Sequence, residues 1–281
     1  MNWKRRLYYA LSPKMRRLAR RLYYYPVDLY EGLSGKRDEI TPPKGKIFIG
    51  PGDFKRLGEK LTQDFIRYGG LQNQHRVLDI GCGIGRIAIP LTKFLSKEGS
   101  YEGFDIVEDG IDWCSERITP KFPNFKFKHI PLRNDLYNLT TNSQAAQFVF
   151  PYDSNQFDFI ILTSVFTHMQ DKEVENYLKE IARVLKIGGK CFATFFIIDE
   201  ASREYLGQTD KPFFTHDFGH YLLHDATVKD ANIAFTKSYI DQISLQAGLK
   251  ISAFHPGWWA GRDKSASVDF QDVMLFEKAS N

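Results

Sequence analysis

Cysteine is scarce in this chain, long apolar runs are missing, and the first 21 residues hold no acid. The three cysteines, Cys82, Cys114 and Cys191, are scattered and odd in number. They exclude a disulfide framework and show no metal-ligand spacing, which fits a reducing compartment. No apolar run approaches the ~20 residues that span a bilayer, and the N-terminus has no apolar core like that of a secretory signal. A cytoplasmic location is the expectation. What is present is substantial: 281 residues, 43% hydrophobic and 15% aromatic, enough to bury one large domain with attachments.

Charge is unevenly spread. Lys4, Arg5, Arg6, Lys14, Arg16, Arg17, Arg20 and Arg21 all lie in the first 21 residues. Without them, 30 basic residues face 34 acidic ones, and the formal charge moves from +4 to −4. The chain reads as an acidic body with a basic arm, and nucleic acid is not the expected partner. The arm covers 1–45. In "PKMRRLARRLYYYP" a proline stands at each end, and both limit a helix. At helical spacing Met15, Leu18, Ala19 and Leu22 share one face, and Arg16, Arg17, Arg20 and Arg21 the other. Such a helix either packs its apolar face on its own protein or lies on an anionic membrane surface. RNA contact is a third reading. "TPPKGKIFIGPGDF" reads as extended chain, with its prolines and glycines blocking a helix.

From residue 54 strands and helices alternate. Helices are expected at 54–68, 86–95, 108–117 and 171–185. Strands are expected at 76–80, 101–106, 125–130, 157–164 and 191–197, with "KIGGK" as a turn. Two late runs, 249–257 and 271–278, suit an antiparallel pair. The alternation predicts an α/β fold, a doubly wound, mostly parallel sheet with helices on both faces. Two stretches interrupt it: a polar insertion at 135–156, and a longer one at 199–240 rich in aromatics and histidines. Insertions after strand ends commonly build substrate sites.

"VLDIGCGIGR" (77–86) runs from a strand into a glycine turn. Glycines admit a ligand close to the backbone, and the following helix offers free N–H donors. A dinucleotide fingerprint would carry a third glycine where Arg86 stands. Asp79 precedes the turn and would repel a pyrophosphate, but it suits an ammonium group. Asp105 ends the second strand and can accept ribose hydroxyls. A nucleoside with a cationic amino-acid tail is implied, and S-adenosylmethionine fits. Arg86 and Asp79 argue against an NAD-dependent oxidoreductase.

"VLDIGCGIGR", "YEGFDI" and "FDFIILTSVFTHM…EIARVLKIGGKCFATFF" resemble successive motifs of the class I S-adenosylmethionine-dependent methyltransferases, from about residue 47 to 278. The resemblance implies a Rossmann-like sheet of seven strands with the last antiparallel, so 46–281 form the catalytic domain. It assigns Asp79, Gly81, Gly83 and Gly85 to the turn that holds the methionine portion, Asp105 to ribose and Ile106 to adenine. Where the family often has an adenine-binding acid this chain has Pro131; Asn134 or the backbone of Leu132 are the substitutes. Thr163 and Ser164 fall where the family lines the methyl group.

An alcohol acceptor needs a base, and His168, after the fourth strand, is the candidate. Its alternative role is packing at a helix start. His216, His220 and His224 would form one ridge if helical; a polar substrate pocket or a surface cluster is favoured over a metal site. Trp258 and Arg262 in "GWWAGR" suit a sugar ring and an anionic group, or else an aromatic cluster closing the core. "IFIGPGDF", "GIDWC", "TSVFTHM", "GWWAGR" and "QDVMLFEK" resemble a subgroup of bacterial small-molecule methyltransferases. The expectation is O-methylation of a small molecule, saccharide or glycolipid, with peripheral membrane contact through the arm. An RNA methyltransferase clamping with the arm, and a non-catalytic binding module, are the competing classes.

Overall fold

A computed structural model describes residues 11–50, 52–210 and 212–279. Seven strands form the main sheet: β1 (Arg76–Ile80), β2 (Ser100–Asp105), β3 (Phe125–His129), β4 (Phe157–Leu162), β5 (Leu185–Phe195), β10 (Leu249–His255) and β11 (Asp272–Lys278). Their order is β10-β11-β5-β4-β1-β2-β3. β11 runs antiparallel to both neighbours, while β1 to β5 pair in parallel. The doubly wound, mostly parallel fold expected from the alternation is therefore present.

Strand alternation sorts the core into two layers. Leu78, Ile80, Ile160 and Leu162 join one cluster, with Leu178 and Ile181 of helix α5 (Asp171–Val184) and Ile243 of α7 (Lys237–Gln246). Val77, Phe159 and Ile161 join the other, with Phe65, Leu91 of α3 (Ala88–Phe94) and Ile111 of α4 (Glu108–Arg117). Coverage of both faces is why β4 reads as an unbroken apolar run. α5 starts at a capping box between Gln170 and Glu173, and its apolar residues recur at helical spacing.

Three boundaries differ from the sequence expectation. Helix α2 (Phe54–Asp64) gives way to a wider turn over Phe65–Gly69. "KIGGK" lies within β5: Phe157 pairs with Leu185 and Phe159 with Lys190, so residues 186–189 bulge out, with Gly188 at φ 75°. The arm helix α1 (Pro13–Leu33) does not stop at Pro26. Pro26 is solvent-exposed, so the carbonyl it deprives of a donor can be hydrated, and the last turns are tied down by Asp28 and Glu31.

The insertion at 199–240 builds a second layer at the sheet's carboxyl edge. It holds α6 (Glu200–Gln208) and the short strands β7 (His216–Asp217), β8 (Tyr221–Leu223) and β9 (Ile233–Thr236), which pair with β6 (Ile197–Ile198) in the order β6-β9-β8-β7. Asp272, fully buried at the start of β11, ties this cap to the main sheet. Its carboxylate accepts from Gly257 N (2.7 Å), Ile197 N (2.7 Å) and Trp259 Nε1 (2.7 Å). Burial nevertheless pushes its pKa up to about 6. The insertion at 135–156 is mostly irregular. Its Phe148, Phe150 and Tyr152 pack around Phe104, and Arg183 donates to the carbonyls of Phe150 (2.9 Å) and Tyr152 (2.8 Å). Among the described residues no helix is long and apolar enough to cross a membrane.

Replacing Asp272 by alanine strands three buried donors. The expected loss is about 3 kcal/mol or more of unfolding free energy in urea. Trp259→Phe removes one donor only and is expected to cost about 1–2 kcal/mol in the same measurement.

Candidate active site

The site is built where the carboxyl ends of β1, β2 and β4 lie side by side. β1 ends in Gly81 and Gly83, both left-handed at φ 77° and 59°. Only glycine takes this path without strain, and neither has room for a side chain. A Cβ on Gly81 would lie 2.5 Å from Val165, just after β4, and one on Gly83 would lie 2.9 Å from Ile49. The turn is sewn to β2 by Gly81 N and Cys82 N, which donate to Phe104 O at 2.8 and 3.1 Å.

Two carboxylates flank the turn. Asp105 accepts from Gly83 N through one oxygen and from Val107 N through the other, each at 2.8 Å. Burial holds its carboxyl above the usual range, while the amide donors pull it down. Each oxygen keeps acceptor capacity, since a carboxylate takes about four hydrogen bonds. Asp79 is wholly buried and accepts from Tyr101 Oη at 2.6 Å. Its other oxygen is buried with no partner among the described residues. Burial pushes the carboxyl up to about 7, and the charge of Asp105 adds to the effect.

These features fit S-adenosylmethionine. The orphaned Asp79 oxygen suits an ammonium, the spare capacity of Asp105 suits ribose hydroxyls, and the glycine path admits close approach. Gly85 completes the turn at φ 84°. Arg86 does not meet phosphate here. Its guanidinium donates to Ile49 O (3.1 Å) and Gly50 O (3.0 Å), fastening the segment before α2 across the turn. The sequence signal for that strap was the arginine at the third-glycine position, but its partner was not legible.

Ile106 packs half-buried against the core beside the end of β2. Leu132 is buried, its carbonyl taken by Asn138 Nδ2 at 3.0 Å. Asn134 accepts from Leu136 N and Tyr137 N and donates to His168 O (3.1 Å), so its amide is engaged in a turn. Thr163 follows β4 directly. His168 Nδ1 meets Asp230 O at 2.8 Å, and burial lowers its pKa. A carbonyl only accepts, so Nδ1 carries the proton and Nε2 is the basic nitrogen.

His216, His220 and His224 do not form a helical ridge. Gly219 turns left-handed at φ 87°, and the segment is a hairpin in which His216 pairs with Leu223. His216 is exposed, His220 Nε2 reaches Asp171 at 3.1 Å, and His224 Nδ1 bonds Phe213 O. Among the described residues no cluster of metal-ligating side chains occurs. Arg262 Nη2 donates to both Asp199 oxygens, at 2.8 and 2.7 Å, while its Nη1 is buried with no hydrogen-bond partner among the described residues. Trp259 is buried in an aromatic cluster with Phe196 and Phe214, whereas Trp258 is partly open, beside Phe270 and Lys264.

Sequence reasoning marked Ser164 but not the two residues that join it in a polar trio at the same edge. Ser164 takes a left-handed φ of 57°. Its N–H donates to Thr194 Oγ1 (2.7 Å), and both hydroxyls donate to Gln271 Oε1, at 3.0 and 2.6 Å. Thr194 and Gln271 come from β5 and the approach to β11, which no local pattern brings together. Two cavities lie away from this edge. One of about 240 Å³, lined by Phe54, Arg86 and Lys93, sits between α2 and α3; another, of about 270 Å³, lies at the opposite strand edge by His75 and Asp158.

Comparison with known proteins agrees with this geometry. Residues 77–189 match the family model of a methyltransferase domain. A tRNA N(3)-cytidine methyltransferase of Gallus gallus is 26% identical over 203 residues, 68% of this chain and 47% of that protein. A demethylmenaquinone methyltransferase of Staphylococcus aureus is 29% identical over 120 residues, 43% of this chain and 42% of its own length. The chain thus spans about half the length of the curated relatives it matches. The solved structure of the PH0226 protein from Pyrococcus horikoshii shares the fold, at 17% identity and a TM-score of 0.55, covering 83% of this chain and 94% of that one. The fold, the glycine turn and the match point the same way: residues 77–189 resemble a methyltransferase domain, and the turn that opens this stretch fits S-adenosylmethionine.

Asp79 gives the site a testable pH signature. Its folded-state pKa, about 7, lies above the ordinary 3.8, so its protonated form stabilises the fold at low pH and that contribution fades as pH rises through 7. An ammonium ligand prefers the ionised form. Affinity for S-adenosylhomocysteine is expected to rise several-fold between about pH 6 and about pH 8, by calorimetry, and to become flat in Asp79→Asn.

Proposed function

We propose that the protein transfers the methyl group of S-adenosylmethionine to a hydroxyl of a saccharide or other small molecule, with His168 as general base. The single observation that supports O-transfer is the tautomer of His168. With Nδ1–H held by the Asp230 carbonyl and the ring neutral, Nε2 is able to take a hydroxyl proton near neutral pH. The cofactor supplies an electrophilic methyl on a good leaving group, so the protein's work is alignment and exclusion of water. Asp79, Gly81, Gly83 and Asp105 hold the donor in this reading, with Gly85 closing the turn and Ile106, Leu132, Asn134 and Thr163 around it. The half-open Trp258 and the cap histidines His216 and His220 are the proposed acceptor contacts. Arg262 supports the acceptor wall through Asp199 instead of binding an anion. The arm brings the domain to an anionic membrane face, where a glycolipid acceptor would lie.

RNA is the second reading, because one relative is a tRNA methyltransferase. It is weakened by the arm's exposed apolar stripe, Met15, Leu18 and Leu22, which suits lipid and has no use against a phosphate backbone.

Calorimetry with S-adenosylhomocysteine is the first test. Micromolar binding is expected, with a loss of at least about 100-fold in Asp105→Ala, which removes two ribose acceptors. Absence of binding by the unaltered protein would overturn the methyltransferase reading. Once a saccharide screen has given a methylated product, His168→Ala is expected to lower kcat by about 100-fold or more and leave S-adenosylhomocysteine affinity unchanged.

A further inference from the structure

The arm helix α1 is docked the reverse of what its pattern suggests. An amphipathic helix at a protein surface normally turns its apolar stripe inward. Here the polar face is inward. Arg17 and Arg21 grip Asp109 at the start of α4, Arg20 donates to Lys44 O (3.2 Å), and Asp28 accepts from Lys44 N (2.6 Å) and Gly45 N (2.9 Å). The opposite face carries Met15, Leu18, Leu22, Tyr25 and Leu29, each between 50% and 68% exposed. Leu33 continues the line at 81%. A continuous apolar stripe of this length, left in solvent, marks an interaction surface.

We infer that this outward face is a membrane-docking surface: it inserts into the interfacial layer of an anionic bilayer while the inward arginines keep the helix fixed to the domain. The inference rests on the membrane part of the proposed function and is independent of the acceptor. Charge complementarity selects the occupant. Lys14, Arg16, Arg17, Arg20 and Arg21 crowd the first turns of α1, where cations oppose the helix dipole and so are not there to stabilise the helix. Among the described residues, Asp109 pairs with both Arg17 and Arg21. The sequence leading into the helix adds Trp3, Lys4, Arg5 and Arg6. Leucines with flanking tyrosines and cations are the composition that interfacial helices use on anionic lipid.

A second copy of the chain is the rival occupant, since Met15, Leu18, Leu22, Tyr25 and Leu29 also keep heptad spacing. The flanking positions oppose it. One flank reads Ala19, Pro26, Leu33 and the other Lys14, Arg21, Asp28, so a parallel seam has no complementary charge pairs, and Pro26 stands in its rim. The same architecture carries a consequence for the site. Lys44 and Gly45, held by Asp28, lead within a few residues to Ile49 over Gly83. The membrane-facing helix is therefore mechanically continuous with the strap that covers the cofactor turn.

The test is cosedimentation of the full-length protein with vesicles of equal parts phosphatidylcholine and phosphatidylglycerol, and with pure phosphatidylcholine. Binding to the anionic vesicles is expected, weakened in high salt. The double variant Leu18→Glu, Leu22→Glu is expected to lower it by at least about tenfold, since two exposed leucines leave the lipid and two anions arrive. The variant's thermal unfolding and its S-adenosylhomocysteine affinity are expected to match the unaltered protein, which separates this inference from the methyltransferase reading. No vesicle binding would overturn it. So would equal binding by the variant, a concentration-dependent dimer abolished by the same variant in sedimentation analysis, or salt-sensitive binding to single-stranded RNA in place of vesicles.

Discussion

The Asp105 carboxylate is the constraint on which the carboxyl edge depends. One of its oxygens holds the Gly83 amide and the other holds Val107, so a single side chain fixes the glycine turn to the mouth of β2. The left-handed path of the turn then sets what lies against it. Val165 closes on Gly81 from the β4 side, and Ile49 closes on Gly83 from the arm side. Placing a charge there is costly, because burial raises the carboxyl's pKa. The cost is offset by amide donors that have no other acceptor, and the residual acceptor capacity becomes a binding property.

Several of the polar groups that the fold buries gather at this edge. Asp79, Asp105, Thr194 and Asp272 are all buried there, while the sheet beneath is filled with phenylalanine, leucine and isoleucine. Asp79 keeps an oxygen without a partner, and Ser164 keeps a left-handed backbone. Unspent capacity and backbone strain of this kind collect where a protein binds and reacts. Asp272 has the opposite character. Its three hydrogen bonds all go to joining cap and sheet, so it makes the wall of the site.

The arm shows why amphipathic pattern and orientation are separate facts. Its periodicity is compatible with either face meeting the body. The choice was made by Asp109 on α4 and by the amides of Lys44 and Gly45, which accept or supply charge to the polar side. Ion pairs with exposed partners are individually weak. Several acting along one helix, together with buried backbone contacts at Gly45, fix an orientation that leucine burial would have reversed.

Much of the fold was legible because it is local. Strand and helix periods, the apolar run of β4 and the glycines of "VLDIGCGIGR" give the alternation and the glycine turn directly. The two acids, Asp79 and Asp105, were readable as a pair because the turn geometry fixes their distance along two adjacent parallel strands. Helix α1 outran its proline because exposure and tertiary anchoring offset a local penalty. The histidine ridge became a hairpin because Gly219 turned the chain and β9 offered an edge to pair with. Arg262 was committed to Asp199, 63 residues away, and Ser164 met Gln271 across 107. The sequence by itself determined the class of sheet, the glycine turn and the acids beside it, since these follow from periodicity and neighbouring residues. Only the tertiary structure decided which polar groups are spent on one another, which remain free, and which face of the arm looks outward, because those depend on partners that the chain brings together from a distance.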